Sequence, residues 1–217
     1  MTPSPFASPE RFPEAAAPLE EACAPLPRDI GAALAFALSR RPVADARPVL
    51  LALTRAWLGE YGRPFASGLA GPPPILVGAT TPAEVLWALE QGLRSGAVSL
   101  AVGAVGDATL AQSRRLEFAA RHGGAVGVTL SRGLEGLSAA RRRWRVSTLT
   151  SAGDRDDARA PGLARLGVEL VRGRGERPGT WILEQDDETH RLRLADRLAG
   201  VRPAAIAGTG ARAGLAA

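Results

Sequence analysis

The sequence predicts an α/β fold in which a mostly parallel sheet, flanked by helices, ends in an antiparallel meander. Three observations carry that expectation. Apolar runs of strand length at residues 48–53, 75–77, 97–105 and 125–130 alternate with helical segments through the middle of the chain. Such alternation implies right-handed crossovers and strands buried on both faces. The helical segments carry end signals of their own. In the last third the pattern becomes period two, with Trp144, Val146 and Thr148 set against Arg143, Arg145 and Ser147, followed by Leu166, Val168 and Leu170. That is the spacing of strands with one solvated face.

Residues 1–27 contain seven prolines among Ala, Ser and Glu, so they read as a disordered tail. Structure is expected from Asp29, placed to cap a helix over the apolar run 30–38. The helix after residue 80 has the clearest limits. Thr81 and Glu84 have capping-box spacing, Pro82 opens the helix and Gly96 closes it, while Val85, Leu86, Leu89 and Leu93 share a face. Asp107 is expected to cap the next helix, which runs to His122 and stops at Gly123-Gly124. Strands near residues 166–170, 180–185 and 190–195 complete the meander, and residues 151–161 form a polar loop. Residues 28–202 are thus one domain, and the Ala- and Gly-rich residues 203–217 are a loose tail.

A chain of 217 residues buries enough surface to fold without disulfides or metal. Its single cysteine, Cys23, excludes an intrachain disulfide, and no apolar run reaches the ~18 residues of a membrane span. A cytoplasmic protein without a secretory signal is the simplest reading. All 27 basic residues are arginine, which excludes a P-loop lysine, a Schiff-base lysine and a lysine general base. Charge is uneven: residues 1–27 carry −3, whereas residues 111–145 carry +6. The basic block favours an anionic partner, nucleic acid first.

The segment ILVGATTPAEVLWALEQGLRSGAVSLAVGAVGD, residues 75–107, resembles the part of RecA where a strand and helix lead to the Walker B strand. LRSGAV is close to that family's wording in the same place. PVLLALTRAW, GRPFASGL, SAARRRWRV and RPGTWILE, in this order and spacing, resemble the ImuA family of bacterial damage-inducible mutagenesis proteins over roughly residues 21–195. The resemblance implies a RecA-like fold. It also implies a role in the SOS response to DNA damage, in error-prone translesion synthesis beside ImuB and an error-prone polymerase.

A P-loop needs glycines to open backbone N–H groups to phosphate, a lysine to neutralise it and a hydroxyl to hold magnesium. Laid on that motif, Ala24 and Asp29 take the glycine positions, Ile30 the lysine and Gly31 the hydroxyl. Pro25 and Pro27 remove two donors, and Asp29 brings a repelling carboxylate. Arg55 stands where RecA-like enzymes activate water, and Ala104 stands where a Walker B aspartate orders magnesium. The expectation is a protein that is not an enzyme and uses neither cofactor nor metal.

Ser138–Arg145, SAARRRWR, follows the strand that precedes a DNA-binding loop in RecA-like recombinases. Arg141, Arg142, Arg143 and Arg145 are therefore candidate phosphate contacts, with the alternative that they are solvated at a strand entrance. Trp144 reads as core, and Trp57 and Trp87 as core or helix packing. His122 and His190 read as surface residues, and the acidic turn at 186–188 as a turn rather than a cation site. The leading function is a non-catalytic scaffold in translesion mutagenesis. ImuB is the leading partner, RecA a second, the polymerase an indirect one and DNA a further candidate through the arginines. The alternatives are a division inhibitor of the SulA type and an ATP-dependent recombinase.

Overall fold

In the computed structural model the described residues are 11–65, 72–154, 156–157, 159–186 and 191–195. The apolar runs form the strands expected of them. In chain order the elements are β1 (Leu19–Cys23), a 3-10 turn (Pro27–Asp29), α1 (Ile30–Ser39), β2 (Val49–Thr54), α2 (Arg55–Tyr61), β3 (Ile75–Ala79) and α3 (Pro82–Ser95). They continue with β4 (Leu100–Ala104), α4 (Leu110–Gly123), β5 (Val126–Ser131), β6 (Arg142–Leu149), β7 (Arg165–Gly173), β8 (Gly179–Gln185) and β9 (Leu192–Leu194). The described strands make one sheet in the order β3-β2-β4-β5-β1-β6-β7-β8-β9. Neighbours from β3 to β6 run parallel, and those from β6 to β9 antiparallel.

Each face of the sheet has its own core. On one, α1 packs Ala33, Phe36 and Ala37 against Leu51, Val102, Val128, Trp144 and Val168. On the other, α3 and α4 bury Val85, Leu89, Leu93, Leu116 and Ala120 against Leu19, Leu50 and Ala101. Each fully buried large side chain contributes about 1.5–3 kcal/mol. The α3 face expected from sequence is the one buried. Trp87 is off that face and 63% exposed, so it is not a core residue.

Helix ends follow local chemistry. Thr81 Oγ1 accepts from Glu84 N at 3.2 Å, and Gly96 closes α3 in the left-handed region. Asp107 does not cap α4. Thr109 and Gln112 form a reciprocal capping box there and satisfy two backbone donors where a lone aspartate would satisfy one. Asp29 does not cap α1 either: it sits in the 3-10 turn and makes no cap hydrogen bond. At the far ends of α3 and α4 the helices meet so closely that a Cβ on Gly123 would lie 1.9 Å from Leu93 O. Arg47 closes both ends, donating to Gly96 O at 2.8 Å, Gly123 O at 3.1 Å and Gly124 O at 2.7 Å. A cation at two helix C-termini complements both dipoles.

The largest correction concerns the N-terminus. Residues 19–23, read from their prolines as part of a disordered tail, form the middle strand of the sheet, every residue of it buried. Residues 1–10 and 203–217, also read as tails, lie outside the described residues. The structured domain therefore begins well before residue 28. What composition could not register is the pairing that secures the segment. Glu20 is 0% exposed, and its Oε2 accepts from Arg40 Nε and Trp144 Nε1, each at 2.9 Å. Its Oε1 accepts from Ala17 N at 2.7 Å, Arg142 Nη1 at 3.0 Å and Arg40 Nη2 at 3.1 Å.

Arg40 also donates to Pro13 O and Ala15 O. Its guanidinium carbon lies 5.6 Å from the ring centroids of Phe12 and Phe36 and 5.7 Å from that of Trp144. The cation is thus saturated by a carboxylate, backbone carbonyls and aromatic faces. Replacing Glu20 with Ala leaves two arginines and an indole N–H facing an apolar cavity. Denaturant unfolding of Glu20→Ala should show a loss of about 3–5 kcal/mol, the cost of orphaning a buried charge. A loss under about 1 kcal/mol would mean that the network does not hold the segment.

Candidate functional site

In open α/β sheets ligands gather outside the carboxyl ends of the parallel strands. At that edge lie the loop from β1 into α1, the start of α2 after β2, the end of β4 and the residues after β5. Every position singled out against the ATPase motifs falls here. Ala24, Asp29, Ile30 and Gly31 lie in or just after the β1–α1 loop, Arg55 opens α2, and Ala104 ends β4.

The β1–α1 loop is a closed turn. Ala24 N donates to Ser131 O at 3.0 Å, and Asp29 N donates to Leu26 O at 2.9 Å. Pro25 and Pro27 have no N–H to offer. The Asp29 carboxylate, expected to face a phosphate, is instead 2% exposed and accepts from Thr148 N of β6 at 2.8 Å. Thr148 Oγ1 donates in turn to Arg28 O at 3.2 Å. Ile30 is buried in the core, while Gly31 is exposed in the first turn of α1. The N–H groups of Ala24 and Asp29 and the Asp29 carboxylate are spent on the protein's own backbone.

Sequence reading missed the neighbouring cluster on α2. Thr54 Oγ1 caps this helix by accepting from Trp57 N at 3.1 Å. The Trp57 and Tyr61 rings, one helical turn apart, lie 5.1 Å from centroid to centroid. Arg132, just after β5, donates to the Tyr61 hydroxyl at 2.8 Å and lies 3.5 Å from Glu60. No residue of α2 is fully buried. The signal is present in the sequence, as a threonine cap followed by aromatics at i and i+4; Trp57, expected as core or helix packing, is partly buried and packs against the core.

The arginine segment is mostly structural. Arg143 is 7% exposed and holds Glu21 through two bonds of 2.9 and 3.2 Å, with a third to Gly136 O. Arg142 pairs with Glu176 at 2.7 Å and with buried Glu20. Both are corrected from phosphate contacts to internal partners of β1, because parallel pairing sets Glu20 beside Arg142 and Glu21 beside Arg143. Arg145 is exposed and pairs with Glu169 at 2.5 Å. Arg141, half-buried, has no side-chain partner among the described residues. Trp144 is core, as read. His122 is exposed, and His190 lies outside the described residues.

Cys23 ends β1 with 3% exposure. Burial pushes its thiol from 9.0 up to about 11, against the opposing pull of Arg145 and a hydrogen bond with Ser131. The described residues contain no cluster of three or more His, Cys, Asp or Glu that could hold a metal, and no helix long and apolar enough to cross a membrane.

No family model matches the sequence. Protein ImuA of Caulobacter vibrioides is 35% identical over 162 residues, which is 66% of this chain and 66% of the relative's length. The match recurs at the same identity and coverage in a second strain of that organism. The chain belongs to the ImuA family. Among solved structures, SulA from Pseudomonas aeruginosa superposes with a TM-score of 0.42 at 26% identity, covering 54% of this ImuA-family chain and 99% of SulA.

Two measurements test the site. With Arg142 and Arg143 held by internal carboxylates, at most Arg141 and Arg145 can meet phosphate, and the segment should contribute a slope no steeper than about −1.8 to log affinity for duplex DNA against log salt. Four contacting arginines would give about −3.6, so a loss of that size on neutralising all four would contradict the structure. For Cys23, the folded state favours the neutral thiol. Its contribution to stability is complete below pH 9.0 and is lost as the pH rises through about 11. At pH 8 a chromogenic disulfide reagent should react only as fast as the protein unfolds.

Proposed function

We propose that this ImuA-family chain is a non-catalytic, RecA-like accessory protein of DNA-damage-induced translesion mutagenesis. It works by holding partners rather than by turning over a nucleotide. One observation carries the reading: the strand–loop–helix corner where a triphosphate would sit is closed on itself. Two prolines stand in the loop, and the Asp29 carboxylate is bonded to β6. Phosphate binding needs convergent free N–H donors and a cation. Here the position of the cation holds buried Ile30.

Two further losses support the same reading. The end of β2 offers Arg55 in place of a water-activating carboxylate, and the end of β4 offers Ala104 in place of a metal-ordering one. The strand order, with a central β1 feeding the corner, is compatible with a RecA-like sheet. Within this reading ImuB is the first partner to test and RecA the second, with an error-prone polymerase reached indirectly. Cofactors have no role in it.

The purified protein should release no phosphate from ATP above background, with or without DNA. Cells lacking the gene should lose damage-induced mutation, and wild-type protein should restore it. DNA-stimulated hydrolysis would overturn the non-catalytic reading. Unchanged mutation frequency in the deletion strain would overturn the mutagenesis role.

A further inference from the structure

Beside the closed corner, the first turns of α1 and the aromatic face of α2 enclose a solvent-open cavity of about 170 Å³. Ile30, Gly31, Leu34, Trp57, Tyr61 and Arg63 are among its lining residues. Its floor is apolar, and its wall is the Trp57–Tyr61 pair that α2 leaves unburied. Leu26, 44% exposed, and Phe65, 76% exposed, adjoin lining residues Pro27 and Pro64 in the chain. The volume is close to the roughly 150 Å³ of an engineered cavity that takes up benzene. It falls short of the ~300 Å³ and above of small-molecule and cofactor pockets. One aromatic ring or branched aliphatic side chain fits; a nucleotide does not.

The rim supplies the second half of the argument. Arg63 lines the cavity, Arg28 follows the lining Pro27, and Arg55 begins the helix that carries Trp57. All three are exposed, and none has a side-chain partner among the described residues. Many other arginines are committed to carboxylates, as at Arg40, Arg94, Arg115, Arg121, Arg143 and Arg165, and the unpaired Arg114, Arg141, Arg159 and Arg172 do not line this cavity. Unpaired cations around an apolar hole are complementary to an acidic segment carrying a single hydrophobic anchor. A phosphodiester chain would meet the cations and could stack a base on Trp57 or Tyr61, but the Ile30–Leu34 floor gives a base edge no hydrogen-bonding side chain.

We infer that this groove is a docking site for a short acidic peptide segment of a partner protein. An aromatic or leucine anchor enters between α1 and α2, and carboxylates meet Arg28, Arg55 and Arg63. The inference rests on the accessory reading above and names the chemistry of the partner at this edge. A clean probe exists in Gly31. It is exposed on α1, and a Cβ placed on it meets nothing within 4 Å. Gly31→Leu therefore starts a side chain beside the groove with no clash at Cβ, at a helical position that favours leucine over glycine.

The experiment is a panning of phage-displayed random peptides on the full chain, with enriched peptides re-measured by fluorescence polarisation on variants. Enriched sequences should combine Asp or Glu with one Trp, Phe or Leu. Their affinity should fall about tenfold or more on Gly31→Leu and on Arg55→Glu/Arg63→Glu, with the melting temperature of Gly31→Leu not lowered. Failure to enrich any peptide, enrichment of basic or anchorless peptides, or equal binding to Gly31→Leu would overturn the inference. So would a single-stranded oligonucleotide that binds the wild type and is displaced by Gly31→Leu. Damage-induced mutation separates the two readings. Peptide binding lost in Gly31→Leu with wild-type mutation frequency leaves the groove and removes its link to the accessory role. No peptide binding, with mutation still dependent on the gene, removes the groove and leaves the role.

Discussion

A carboxylate in the middle of a sheet must be answered by donors or the strand that carries it cannot stay there. Isolated burial of a charge costs several kcal/mol even after the protein relaxes. Glu20 meets this condition with five donated hydrogen bonds from Ala17, Arg40, Arg142 and Trp144. Those donors come from the segment before β1, from the end of α1 and from β6. The one carboxylate therefore fixes three elements at once. Arg40 extends the constraint into the aromatic group of Phe12, Phe36, Trp144 and Trp181, whose rings meet at 5.2–6.1 Å. Removing the interaction would free the middle strand of the sheet.

That constraint also shapes what the surface can do. Glu20 and Glu21 point to opposite faces of β1 and engage Arg142 and Arg143 on opposite faces of β6. A basic run that looked suited to nucleic acid is thereby half consumed in joining the parallel and antiparallel parts of the sheet. Free positive charge persists where no strand pairing claims it, at the carboxyl ends of β1 and β2. The same edge has a loop closed by prolines and an aspartate turned inward. The proposed docking groove lies at this edge, where unpaired charge adjoins half-exposed aromatics.

The middle of the fold was legible because period and punctuation agreed there. α3 shows this best: cap, opening proline, apolar stripe and closing glycine all point to one helix, and each operates through bonds within a few residues. Asp107 and Asp29 show the limit of such reasoning. Each was a plausible cap alone, but Thr109–Gln112 satisfies more donors, and Thr148 on a distant strand claims Asp29. Trp57 was legible as apolar but not as half-exposed, since exposure depends on how far α1 extends beside it. For the arginines, the clue was the adjacent pair Glu20-Glu21 inside an apolar strand, which asks for two adjacent cations elsewhere. No local rule says that Arg142 and Arg143 are the ones.

By itself the sequence determined the alternation of strands and helices, the antiparallel ending and the complete absence of lysine. These depend on residue identity and on spacing along the chain. Only the tertiary structure decided that residues 19–23 are the middle strand, that Arg142 and Arg143 face inward, and that α1 and α2 frame a cationic apolar groove. The energies behind those outcomes come from groups more than a hundred residues apart in sequence, such as Glu20 and Arg142. A chain whose local composition favours disorder can still be ordered by such partners, because burial and pairing outweigh propensity once the sheet has formed.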